Sequence, residues 1–180
     1  MSLIAHDDCA LIVIDAQPGF YPPELPEADR AAAAQALDRA AWLVELAARL
    51  DVPVVVTEEE PEDNGTTDPR LAVSPALIKP TFGLAGTPAI LATVNRPTAV
   101  LVGFETDVCV YQSAVGLLER GKQVVVVEDA TFSPGEMHGR GLTRLRDAGA
   151  RLTHAKALGY EWVRTVEGAA VLPRPAPFRL

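Results

Sequence analysis

Four short runs constrain this chain more than anything else in it: "ALIVI" at residues 10–14, "PVVVT" at 53–57, "AVLV" at 99–102 and "VVVV" at 124–127. None alternates apolar with polar residues, so neither face of such a strand is meant for water. Helical spacing fills the gaps between them. Residues 27–50 are alanine-rich with Leu37, Ala41, Val44 and Ala48 on one face, and Val110, Ala114, Leu117 and Leu118 mark a second helix that stops at Gly121. Further helices are predicted at 87–94, with Pro88 in its first turn, at 135–148 and at 156–166. Brief strands are predicted at 76–78 and 150–153. Strands and helices in alternation, with strands apolar on both sides, predict a parallel sheet covered by helices on both faces. If its strand order is 3-2-1-4-5-6, the switch point lies between the first and fourth strands, where ligands collect in such sheets.

Two segments fall outside this pattern. Residues 58–75, "EEEPEDNGTTDPRLAVSP", carry no apolar period and read as a long loop, of the kind that acts as a lid or binding loop. Residues 172–180, "LPRPAPFRL", contain three prolines and are expected to form an extended tail. The 180 residues suffice for one core without staples, so a single domain over 1–180 is expected. A net charge of -8 argues against nucleic-acid binding and leaves small molecules or other proteins as partners. Cys9 and Cys109 form neither a disulfide framework nor a zinc-type pair, which points to a reducing, cytoplasmic setting. No run approaches the roughly 18 apolar residues of a membrane helix, and the first residues do not read as a leader.

Chemistry concentrates at strand ends. Asp15 closes the first apolar run, where a carboxylate costs desolvation: it is either a base for a neighbouring group or a brace for the turn Gln17-Pro18-Gly19. Cys109 falls in the first turn of a helix capped by Thr106 or Asp107. There the helix dipole favours a thiolate, although a free cysteine also packs readily as a small hydrophobe. Lys79, held extended by Pro80, is a solvated charge by itself and a partner for both only in combination. The same helix start offers backbone donors for an oxyanion. Glu58 opens the polar loop and either binds a polar substrate group or is one of a solvated acidic run. Phe20 and Phe82 either wall a pocket or belong to the core.

The stretches "LIVIDAQPGF", "KPTFG", "VGFETDVCV" and "LLERGKQVVVVEDA", in that order over residues 10–166, resemble the isochorismatase-like cysteine hydrolase family, most of all its members of uncharacterised substrate. The resemblance implies a three-layer αβα fold around a six-stranded parallel sheet of Rossmann-like order 3-2-1-4-5-6. It implies that Asp15, Lys79 and Cys109 are catalytic, with a thioester on Cys109. It also implies a cis peptide at Phe104-Glu105, with the N–H groups of Glu105 and Cys109 as oxyanion hole. Nicotinamidases of that family hold a metal through an aspartate and histidines. His6, His138 and His154 match no such cluster, so neither metal nor other cofactor is expected and nicotinamide is disfavoured. The family commonly forms homo-oligomers. Two other functions stay open at this stage: hydrolysis of an isochorismate-type vinyl ether without a nucleophile, and an idle scaffold that uses its acidic surface.

Overall fold

The computed structural model describes residues 2–71 and 73–178. Six parallel strands, β1 (Cys9–Ile14), β2 (Val54–Glu58), β3 (Leu77–Ile78), β4 (Thr98–Phe104), β5 (Gln123–Phe132) and β6 (Arg151–Thr153), form one sheet in the order β3-β2-β1-β4-β5-β6. The predicted order is therefore the observed one. Helices α1 (Glu27–Arg49), α2 (Pro61–Asn64), α3 (Pro88–Thr93), α4 (Tyr111–Leu118), α5 (Met137–Asp147) and α6 (Ala155–Val163) connect and cover it.

The unbroken apolar runs are explained by two cores, one on each face of the sheet. Leu11 and Val13 of β1 face Leu37, Leu43 and Leu46 of α1 and Leu158 and Trp162 of α6. Ile12 and Ile14 face Ile90 of α3, Ala114 and Leu117 of α4 and Leu145 of α5. All six residues of β1 are buried, so each side chain contributes transfer free energy, about 1.5–3 kcal/mol for a valine, leucine or isoleucine.

Two elements differ from the sequence expectation, and a third, α2, lies in the segment expected to be loop. β5 runs on to Phe132 through two acidic residues, because each has a partner: Asp129 accepts from the Ala155 N–H at the start of α6, and Glu128 pairs with His154. α6 stops at Val163, since Arg164 turns to a φ of 65°. Over its described residues the proline-rich end forms neither helix nor strand and is docked on the domain. Its described part, residues 172–178, packs on α1: Trp42 Nε1 donates to the Pro173 carbonyl at 3.0 Å and its ring meets Phe178 edge-on at 4.9 Å. Residues 179–180 of the expected tail, Ala72 of the expected loop and Met1 lie outside the described residues.

Where β1 and β4 run side by side toward the switch point, Gly103 adopts a φ of 110°, and a Cβ there would collide with the Ile14 carbonyl. That carbonyl is backbone and cannot yield. Gly103→Ala is therefore expected to cost more than about 3 kcal/mol or to prevent folding, as read by urea denaturation against wild type.

Candidate active site

β1, β2, β3 and β4 deliver five side chains to one point at the carboxyl edge of the sheet. Asp15 follows β1 in a left-handed backbone conformation (φ 44°), one that aspartate tolerates better than most residues. It is fully buried. The Thr57 hydroxyl donates to its Oδ1 at 2.9 Å, and the Lys79 ammonium lies 2.6 Å from Oδ2. Lys79 directly follows β3 and is itself fully buried; its Nζ also donates to Glu59 Oε2 and to the Thr81 carbonyl, each at 3.1 Å. Cys109 Sγ donates to the same Glu59 Oε2 at 3.1 Å. One oxygen of Asp15, one of Glu59 and the sulfur of Cys109 all lie within 4.8 Å of one another.

The segment that carries Cys109 is a π-helical turn, Thr106–Val110, running into α4. Its N-cap is Glu105, not Thr106 or Asp107, and no side chain caps it. The two polar residues fasten the turn to its neighbours instead. Thr106 Oγ1 lies 2.9 Å from His138 Nδ1 on α5, and Asp107 Oδ1 accepts from the Ser133 hydroxyl at 2.6 Å. The Phe104-Glu105 peptide before the turn is cis. Phe104 is packed edge-on between Tyr21 and Phe132.

The structure thus brings Asp15, Lys79 and Cys109 together, with Phe104 and Glu105 beside them. Glu58 is elsewhere: its Oε1 accepts from the Thr67 N–H at 2.7 Å and the Thr67 hydroxyl at 2.8 Å, which holds the following loop. Its neighbour Glu59 is the carboxylate at the site. The available signal was the strand period, because residues two apart share a face and Thr57 faces Asp15. Phe82 lies half-exposed on the lip of the cleft. Phe20 packs against the α1-side core and does not line that cleft. The cleft, about 420 Å³, opens beside Lys79 and Glu59 and is completed by Glu60, Thr81, Phe82 and Gln112. A larger one of about 810 Å³ lies at the opposite, amino end of the strands, between Ile4, Thr98 and Arg151, away from any of these groups.

Electrostatics set the proton inventory. Burial pushes the Asp15 carboxyl above its ordinary value, although Lys79 and Thr57 pull it back. Burial opposes the Lys79 charge, but Asp15, Cys109 and Glu59 outweigh it and hold the ammonium above its ordinary value. Burial, then the charge of Asp15, pushes the Cys109 thiol up, with Glu59 adding to the rise and Lys79 only partly offsetting it. Contrary to the expectation of a dipole-stabilised thiolate, Cys109 rests as a thiol, because two carboxylates and burial outweigh the helix start. Alkylation of Cys109 by iodoacetamide is therefore expected to keep accelerating above about pH 9. Glu59→Gln, which removes a nearby negative charge, should move that profile to lower pH; mass-resolved labelling rates measure both.

Asp15, Glu59 and Cys109 are the grouping among the described residues with metal-ligand types in reach of one another. A cation already stands among them, since the Lys79 ammonium is 2.6 Å from Asp15 and 3.1 Å from Glu59. A metal ion would have to expel a buried ammonium, so the donor set does not fit one.

Fold and site together define a class: a doubly wound α/β protein of the isochorismatase-like hydrolase type, with a buried aspartate, lysine and cysteine at its switch point. Residues 9–157 match the family described as the Isochorismatase domain, and the chain belongs to that family. Isochorismatase domain-containing protein 2 of Rattus norvegicus is 30% identical over 154 residues, covering 79% of this chain and 73% of that protein. The structure described as MAR1 ribonuclease from Caenorhabditis elegans superposes with a TM-score of 0.81 at 28% identity, over 98% of this chain and 95% of that one. The Escherichia coli YcaC gene product, described as an octameric hydrolase of unknown specificity, shares the fold with a TM-score of 0.82 at 21% identity, over 96% and 89% of the two chains.

Proposed function

We propose that this protein hydrolyses a small amide or related carbonyl compound through a thioester on Cys109, without a metal. The observation that carries the reading is the convergence of the Cys109 thiol, the Asp15 carboxylate and the Lys79 ammonium in one buried cluster beside an open cleft. Because the thiol is protonated at rest, attack needs a base within reach, and Asp15, a carboxylate that burial makes more basic, fills that role. Asp15 accepts the thiol proton as Sγ bonds to the carbonyl carbon and the carbonyl electron pair moves to oxygen. The N–H groups of Glu105 and Cys109 hold that oxyanion. Collapse breaks the C–N bond, and the leaving nitrogen takes the proton from Asp15. Water then adds to the thioester and gives a proton to Asp15. The C–S bond breaks, Sγ regains a proton, and a carboxylic acid departs. Lys79 stays charged throughout and keeps Asp15 ionised until the thiol proton reaches it.

The description of the Caenorhabditis elegans neighbour as a ribonuclease does not extend to this chain in our reading. Phosphate binding wants unpaired cations, and the cation that lines this cleft, Lys79, is paired to Asp15 and Glu59. No helix among the described residues is long and apolar enough to cross a membrane. Two unpaired cysteines accord with a cytoplasmic setting. Assembly into a homo-oligomer is part of the proposal and is supported by the octameric YcaC description.

A panel of primary amides, N-carbamoyl compounds and isochorismate, followed by product release, tests the reaction class. Amide or carbamoyl turnover that requires Cys109 supports the proposal. Isochorismate turnover that survives Cys109→Ala would replace it with vinyl-ether hydrolysis, and silence across the panel would favour a scaffold.

A further inference from the structure

The cleft beside Cys109 carries an uncompensated negative charge, and its source is a residue outside the aspartate, lysine and cysteine set. Asp15 and Lys79 cancel one another at 2.6 Å. Glu59 and the exposed Glu60 remain, and the other lining groups, Pro80, Thr81, Phe82 and Gln112, are neutral. Glu59 is held in place by its backbone. The buried Gln17 receives the Glu59 N–H at 2.8 Å and donates to the Glu59 carbonyl at 3.0 Å, and Asn64 donates to that carbonyl at 2.9 Å. Its Oε2 therefore stays at the nucleophile, where it accepts from both the thiol and the ammonium.

We propose that Glu59 determines specificity: the site takes small amides that are neutral or cationic and rejects those bearing a carboxylate. The word amide rests on the hydrolase reading above; the charge preference does not. When Cys109 gives its proton to Asp15, Glu59 Oε2 loses one of its two donors. An N–H of the bound amide, or an ammonium beside it, replaces that donor within a low-dielectric site. A substrate carboxylate would meet Glu59 and Glu60 with no unpaired lysine or arginine lining the cleft, a like-charge contact that opposes binding most when desolvated. Dicarboxylates such as isochorismate are rejected on the same ground.

The test labels Cys109 with a cationic and an anionic methanethiosulfonate of similar size, 2-(trimethylammonio)ethyl and 2-sulfonatoethyl. Rates are read by peptide mass, and the ratio is divided by that of the urea-unfolded chain. The ratio of the two reagents cancels any change in thiol pKa, and dividing by the unfolded chain cancels their intrinsic reactivities. Wild type is expected to favour the cation by about tenfold or more, Glu59→Gln to lose most of that preference, and added salt from about 20 mM to 500 mM to shrink it. A normalised ratio near one, or one unmoved by Glu59→Gln, overturns the proposal. Salt dependence decides the matter if the variant does not fold.

In parallel, kcat/KM is compared for propanamide, 3-aminopropanamide and succinamate. Succinamate turned over as well as 3-aminopropanamide overturns the charge preference and leaves the hydrolase reading intact. No turnover of any amide with the labelling preference present overturns the hydrolase reading and supports the role of Glu59.

Discussion

Cys109→Ala is expected to lower kcat for an amide substrate by about 10,000-fold or more, with KM changed little. The cysteine contributes almost nothing to ground-state binding and everything to the covalent step. Asp15→Asn should cost about 100- to 10,000-fold, because an amide cannot accept the proton of a thiol that burial and two carboxylates keep protonated. The double variant should be no worse than Cys109→Ala alone, since base and nucleophile act as one unit. A vinyl-ether hydrolase would give the opposite order, tolerating Cys109→Ala and failing with Asp15→Asn. Steady-state kinetics on the purified variants separates the two.

Lys79→Met is expected to destabilise the fold by about 3–5 kcal/mol, because it strands a fully buried carboxylate that now lacks its ammonium. The loss should depend on pH with a definite sign. Asp15 without Lys79 has a folded-state pKa raised well above the unfolded value of about 3.9, so proton uptake favours the folded state. Its contribution is full below about pH 4 and is lost as pH rises through the raised value. Urea titrations of Lys79→Met should therefore show a smaller deficit at pH 4–5 than at pH 7. Adding Asp15→Asn should recover much of the stability at neutral pH, because it removes the stranded charge; a deficit flat with pH and unrelieved by Asp15→Asn would mean that Lys79 only fills space.

The sheet was legible because its strands are apolar on both faces and because proline and glycine punctuate the ends; each such run had one reading once helices lay between them. Asp15, Lys79 and Cys109 were legible for a related reason. A charge that ends an apolar strand, a lysine fixed by Pro80 and a cysteine opening an amphipathic helix are conspicuous against their surroundings. What escaped was set by tertiary partners. The run through Glu128 and Asp129 looks like the end of a strand until Ala155 and His154 supply their partners. The π turn at Thr106–Val110 depends on anchors from Ser133 and His138, more than twenty residues away in sequence. Glu59 was hidden among three consecutive glutamates, where composition suggests a solvated run, and Gln17 among turn formers. Only the strand period distinguishes Glu59 from Glu58, and only the contacts reveal that Gln17 fixes it.

The claim on which the rest depends is that Cys109 becomes covalently acylated during turnover. Acid quenching of wild type within the first turnovers of an amide substrate, followed by intact and peptide mass measurement, addresses it directly. The account predicts added mass equal to the acyl group, confined to the peptide carrying Cys109, lost on hydroxylamine treatment and absent from Cys109→Ala. Steady turnover with no adduct on Cys109, or with the acyl group on another residue, would contradict it.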